Sequence, residues 1–366
     1  MRPPIPQHIE TLSPYVPGKP IEETEREYGL KGVIKLASNE NPLGPSPMAV
    51  AALAEAAASL HIYPDAACFY LKRRLAEFLG VTPEELIVGS GSNEVIELLV
   101  RTFMADDDEA LLCKGSFVMY KVVLQAHGKK FVEVPMQDFH YDLDAMVEAA
   151  GAKTRLIFIA NPDNPTGTWI QRAPFERFLD KVSKSAPQAL VIMDEAYFEY
   201  VTDPEYPNSL HYRRDYPNVV TLRTFSKAYG LAGLRLGYGV LDPVLAGYMN
   251  RGRMPFNVTS MAQIGGLAAL DDQAHVERTR EMNTRELAFL QAELPTLGVR
   301  VLPSQANFVL VDLGRPAAPI NEAMLRQGVI VRPVLNYAMP NALRITVGTH
   351  EENLKMVAAL REALKK

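Results

Sequence analysis

The chain has 366 residues, enough for one large domain with a smaller companion rather than a single minimal core. Hydrophobic residues make up 48% and charged residues 22%, the balance of a folded globular protein and not of a disordered one. A net charge of −5 with mixed signs and no basic block argues against a nucleic-acid partner.

The start, Met1 to Pro6, lacks the apolar core of a secretory leader. The alanine-rich run from Ala49 to Leu60 is broken by Glu55 and is too short to cross a bilayer. Cys68 and Cys113 have neither metal-ligand nor redox spacing. A soluble, cytoplasmic protein without metal or membrane contact is therefore expected.

Residues 1–40 are rich in proline and glycine, as in Leu12-Ser13-Pro14-Tyr15-Val16-Pro17-Gly18, and read as an extended arm. Ser38 to Pro47 is a proline-stiffened polar turn that either lines a site or merely connects. Helices are expected over Ala49 to Leu60 and Phe69 to Leu79, the second ending at Gly80. Leu86-Ile87-Val88-Gly89-Ser90-Gly91-Ser92-Asn93 then runs strand, glycine-rich turn, helix. It leaves the N–H groups of Ser92 and Asn93 at a helix N-terminus, where an anion is favoured. Both the GxGxxG fingerprint and the Walker glycine-lysine pair are missing, which lowers the dinucleotide and nucleoside-triphosphate readings.

Short apolar strands follow at 110–113, 130–134, 155–160, 189–193, 219–222 and 234–241, most of them separated by helical patterns. That alternation predicts an α/β fold with a mostly parallel sheet covered by helices and with ligands at the carboxyl ends of the strands. Asn257 is expected to cap a helix from Val258 to Leu270, and a further helix to run from His275 to Leu294. Four β runs near 300, 309, 330 and 345 and a closing helix then make a smaller α+β unit. The predicted division is 41–274 for the large domain, with 1–40 and 275–366 forming the arm and small domain.

The strand ends carry the chemistry. Asp194 lies just past four buried apolar residues, where ionisation needs a cation or donor nearby. It could partner a protonated pyridine nitrogen or simply cap a helix. Tyr197 and Asn164 could both reach a phenolic oxygen, and Phe117 could cover a flat ring or belong to the core. Lys227 follows the strand 219–222 in Thr224-Phe225-Ser226-Lys227-Ala228-Tyr229-Gly230, with Arg235 beyond. A shielded lysine loses its proton easily and attacks an aldehyde. Thr224, Ser226 and Arg235 offer two neutral donors and a planar cation, the needs of a phosphate monoester. Together these are the requirements of pyridoxal phosphate bound as a Schiff base. Arg332 and Arg344, each among apolar neighbours in a β run, seek either an anionic ligand or an internal carboxylate.

In this order the Ser92-Asn93 turn, Phe117, Asn164 in Asn-Pro-Thr-Gly, Asp194 with Tyr197, Ser226-Lys227 and Arg235 resemble the fold-type I pyridoxal-phosphate enzymes. The segments Leu12 to Gly18, Ser38 to Pro45 and Leu343 to Thr349 are similar within that superfamily to the histidinol-phosphate aminotransferases. The resemblance spans essentially the whole chain. It implies that Lys227 anchors the cofactor and shuttles the proton between Cα and C4′, with Asp194 on the pyridinium and Tyr197 and Asn164 on the ring oxygen. Ser92, Asn93, Thr224, Ser226 and Arg235 would cradle the phosphate. Phe117 stands where the family often has tyrosine, so stacking is kept and a hydroxyl is lost. Tyr63 would reach the phosphate in the neighbouring subunit, which implies a homodimer. Tyr15, Asn39, Arg332 and Arg344 are expected at the substrate. The implied reaction interconverts histidinol phosphate and 2-oxoglutarate with imidazole-acetol phosphate and glutamate. Three rivals are an aromatic amino-acid aminotransferase, a threonine-phosphate decarboxylase and a ligand sensor; the last is disfavoured because no helix-turn-helix segment precedes the domain.

Overall fold

The computed structural model describes residues 4–13 and 18–365. The arm is more regular than its prolines suggested. It holds helices α1 (Gln7–Glu10) and α2 (Ile21–Tyr28) and the short strand β1 (Ile34–Lys35). Pro6 and Pro20 sit at the helix N-caps, where the missing N–H costs no hydrogen bond, so proline starts these helices rather than preventing them. Tyr15 lies outside the described residues.

Helices α3 (Pro47–Ala56) and α4 (Phe69–Leu79) follow; Gly80 closes the latter in a left-handed conformation, as expected. The central sheet has seven strands: β2 (Leu86–Gly89), β3 (Glu109–Lys114), β4 (Lys130–Pro135), β5 (Thr154–Ala160), β6 (Leu190–Asp194), β7 (Val219–Thr224) and β8 (Gly237–Val240). Their spatial order is β2-β8-β7-β6-β5-β3-β4, and only β8 runs antiparallel to its neighbours. β6 and β7 are buried along their whole length, which is why the first residues of each are mostly apolar on both faces and do not alternate with polar ones. The last expected run, 234–241, is shorter in the structure because Ala232–Leu234 forms a 3-10 turn that brings Arg235 back over the strand ends.

A second sheet joins β9 (Arg300–Val301), β10 (Phe308–Asp312), β12 (Arg332–Pro333) and β13 (Ala342–Thr346) in the order β12-β13-β10-β9. β11 (Val329–Ile330) instead pairs in parallel with β1 of the arm. The helix at 260 begins differently from expectation. Thr259 caps Ser260–Asp271, while Asn257 donates to Val88 O and to Glu94 Oε2 at 2.7 Å. Closing helix His350–Leu364 starts with a capping box between Thr349 and Glu352. Among the described residues no helix is long and apolar enough to cross a membrane.

Candidate active site

A cavity of ≈ 330 Å³ opens at the carboxyl ends of β5, β6 and β7, between the two sheets. Of the residues expected at a site, Asn39, Ser92, Asn93, Phe117, Asn164, Asp194, Tyr197, Thr224, Ser226, Lys227, Arg235, Arg332 and Arg344 all line it. Tyr63 does not. It is 80% exposed and stacks on Phe256 at 4.8 Å, away from the cavity.

Lys227 stands on the loop after β7, and its Nζ donates to Ser38 O at 3.1 Å. Burial, reinforced by the cations Arg344 and Arg235, pulls its ammonium down to about 7, against the opposing pull of Glu40 and Asp194. A lysine in that range is neutral often enough at physiological pH to act as nucleophile and base.

Asp194 ends β6, so its carboxylate leaves a fully buried strand directly into the cavity. The Tyr120 hydroxyl donates to Oδ2 at 2.9 Å, and among the described residues Oδ1 meets no donor at hydrogen-bond distance. Burial raises the carboxyl to about 6, opposed by the Tyr120 bond and the Ala196 N–H. An orphaned buried carboxylate oxygen aimed into a cavity is a ready partner for a ring N–H⁺. Asp194 caps no helix here. Tyr120 was not foreseen. It lies three residues after Phe117, so the two share one face of the same turn, and their rings meet edge to face at 5.3 Å.

The anion cradle is built from two loops. Helix α5 (Ser92–Phe103) starts at Gly91, whose lack of a side chain leaves the first-turn N–H groups uncapped. Gly91 adopts φ 79° and ψ 165°, and a Cβ there would come within 2.5 Å of an Arg235 guanidinium nitrogen. A Cβ on Gly237 would meet the Ser92 backbone nitrogen at 2.3 Å. Opposite, Arg235 donates to Ser226 Oγ at 3.3 Å, and Ser226 N donates to Thr224 Oγ1 at 3.1 Å. Backbone donors, two hydroxyls and one guanidinium thus line the same cavity, a donor set suited to a phosphate.

The far wall is cationic. Arg332 and Arg344 are directly opposed across β12 and β13, so both side chains leave the same face of the sheet. Arg344 donates to Asn164 Oδ1 at 2.6 Å and to Ala37 O at 2.7 Å. No carboxylate closes an ion pair on Arg344 among the described residues, so the internal salt-bridge reading fails for it. Asn39 lines the cavity with its side chain engaged by Tyr197 and Thr346. Asp163, in the turn after β5, accepts from Ser116 and Thr166 and so braces the loop that presents Asn164.

The pattern of the aminotransferase class I and II family matches residues 31–360. The histidinol-phosphate aminotransferase of Anaeromyxobacter sp. is 54% identical over 98% of this chain and 99% of its own length. That of Moorella thermoacetica is 47% identical over 97% and 92%. Among solved structures, histidinol-phosphate aminotransferase from Sinorhizobium meliloti in complex with pyridoxal-5′-phosphate superposes with a TM-score of 0.87 at 29% identity, covering 99% of this chain and 97% of that one. Aspartate aminotransferase of Thermus thermophilus with maleate gives a TM-score of 0.85 at 23% identity, covering 99% and 100%, a likeness of fold.

Proposed function

Because the chain belongs to the class I and II aminotransferase family, we propose that it moves the amino group of histidinol phosphate to 2-oxoglutarate with pyridoxal phosphate as cofactor. The observation that carries the substrate assignment is the cross-strand pair Arg332 and Arg344 facing Lys227 over one cavity. Two guanidiniums side by side can hold a phosphate in one half-reaction and a carboxylate in the other.

The residues fit the cofactor. Asp194 Oδ1 awaits a cation, and the Gly91 turn with Ser92, Asn93, Thr224, Ser226 and Arg235 suits a phosphate monoester. Lys227 would hold the aldehyde carbon, Tyr197 and Asn164 the ring oxygen, and Phe117 would cover one ring face. When bound, the cofactor supplies a carbonyl for the amino group and an electron sink for the pair left by the broken Cα–H bond. Lys227, poised near neutrality, would be set free when the substrate amine displaces it, and would then take the Cα proton and return it to the cofactor carbon on the other side of the transferred nitrogen. Asp194 would keep the ring nitrogen protonated, and the arginines would hold the substrate in place beside the lysine.

The domain division at residues 41–274 against 1–40 and 275–366 belongs to the same reading, as does a cytoplasmic location. So does a homodimer. Tyr63 and its neighbours in sequence Leu60, Ile62, Phe69 and Tyr70 are all exposed large apolar side chains, and Tyr63 stacks on the likewise exposed Phe256. Docked against a second copy, Tyr63 would reach the neighbouring phosphate site. Side-by-side kcat/KM values for histidinol phosphate and phenylalanine, with 2-oxoglutarate as acceptor, test the substrate assignment. Preference for histidinol phosphate is expected. A strong preference for phenylalanine, or carbon dioxide release from threonine phosphate, overturns it.

A further inference from the structure

Asn39 is 1% exposed, and each of its polar groups has a partner. Its backbone N–H donates to Thr346 Oγ1 at 3.0 Å, and that same oxygen lies 3.0 Å from Asn39 Oδ1. Asn39 Nδ2 lies 2.9 Å from the Tyr197 hydroxyl, and Asn307 Nδ2 donates to the Asn39 carbonyl at 3.1 Å.

The sense of this chain follows from its two links at Thr346. The Asn39 N–H can only donate, so Thr346 Oγ1 accepts there; a turned-over amide would put its NH₂ on the same oxygen and leave the buried Thr346 hydrogen without an acceptor, so that hydrogen goes to Asn39 Oδ1. The amide with its oxygen turned to Thr346 must then present its NH₂ to Tyr197. The Tyr197 oxygen therefore accepts from Asn39, and its own hydrogen is left for an acceptor on the cavity side. Burial holds that hydroxyl well above the ordinary phenol range, so it keeps the hydrogen it offers. Thr346 sits two residues beyond Arg344 on β13 and on the same face, so the relay starts on the strand that carries the anion-binding arginine.

We propose that Asn39 and Thr346 are positioning residues that lock the Tyr197 hydroxyl as a hydrogen donor toward the ring oxygen of the cofactor. The proposal rests on the reading of Tyr197 given above. A hydrogen bond to the ring oxygen stabilises its anionic form, so losing it makes the adjoining Lys227 nitrogen more basic. The test is a pH titration of the holoprotein's visible absorption, which reports that basicity and needs no turnover.

Tyr197→Phe sets the full effect, an upward shift of the titration midpoint by roughly 1 to 2 pH units. Thr346→Val, which frees the amide to turn over, should shift it in the same direction. Thr346→Ser, which keeps the hydroxyl, should leave it in place. In the Tyr197→Phe background, Thr346→Val should add nothing. Should Thr346→Val fail to fold, Asn39→Ala carries the same expectation. If Tyr197→Phe itself leaves the midpoint unmoved, the reading of Tyr197 fails and takes the relay with it. If Tyr197→Phe shifts it and the folded Thr346→Val or Asn39→Ala does not, the relay alone is overturned.

Discussion

Replacing Tyr120 by phenylalanine removes one oxygen and leaves the ring, which stacks on Phe158 at 4.7 Å and has no reason to move. The lost hydroxyl is the donor 2.9 Å from Asp194 Oδ2, with Tyr120 1% and Asp194 4% exposed, so water cannot readily take its place. The Ala196 N–H and the charge on Lys227 would remain to favour the ionised carboxyl, whose other oxygen has no hydrogen-bond partner among the described residues. A hydrogen bond to a charged group is worth ~1.5–3 kcal/mol, and one pKa unit corresponds to ~1.4 kcal/mol, so the Asp194 carboxyl should rise by about 1 to 2 units. Starting from about 6, it would then be half to mostly protonated at neutral pH, and only the ionised fraction could hold a cationic ring nitrogen. Cofactor affinity at neutral pH should fall about 2- to 10-fold. The loss should shrink as pH rises and the carboxyl ionises again. Equilibrium binding of pyridoxal phosphate to the cofactor-free protein across a pH series measures both quantities. An unchanged Kd with an unchanged pH profile would refute the reasoning.

Three further outcomes are expected. Lys227 has a depressed folded-state pKa, so between about 7 and its ordinary 10.5 the unfolded chain holds a proton that the folded one lacks, and stability rises with pH there. Thermal melts of cofactor-free Lys227→Met and wild type should show the variant's advantage greatest below pH ~7 and shrinking toward alkaline pH. A constant difference would contradict this, and the variant should also lose the visible absorption of the holoprotein. Gly91→Ala must place a Cβ 2.5 Å from Arg235 in a backbone region open almost only to glycine, at a cost of ~1–3 kcal/mol. It should lower both Tm and phosphate-dependent cofactor retention, measured by melting and dialysis. Arg344→Lys keeps the charge but cannot span Asn164 Oδ1 and Ala37 O together. KM for both amino donor and 2-oxo acid should rise about 10-fold or more, whereas an effect on one substrate alone would assign the anion pocket differently.

Much of this site could be read before any fold was known, because its chemistry is local. Lys227, Thr224, Ser226 and Arg235 lie within twelve positions of one another after a buried strand, and Asp194 directly ends another. Where local chemistry misled, a neighbour far along the chain was the reason. Asn257 has the form of a helix cap, yet Val88 and Glu94 engage it and Thr259 takes the cap. The prolines of the arm suggested an extended segment, but proline is tolerated at a helix start, and two helices begin there. Tyr120 was illegible because its significance is a contact 74 residues away.

The order of apolar strands, the glycine at the anion turn and the lysine after a strand were fixed by covalent sequence, since each depends on residues within a few positions. Which hydrogen faces the cavity, which carboxylate oxygen lacks a partner and which two arginines stand side by side were decided by the tertiary structure alone. Those properties belong to pairs brought together across sheets and loops, and burial, which raises Asp194 and lowers Lys227, exists only once the chain has closed around them.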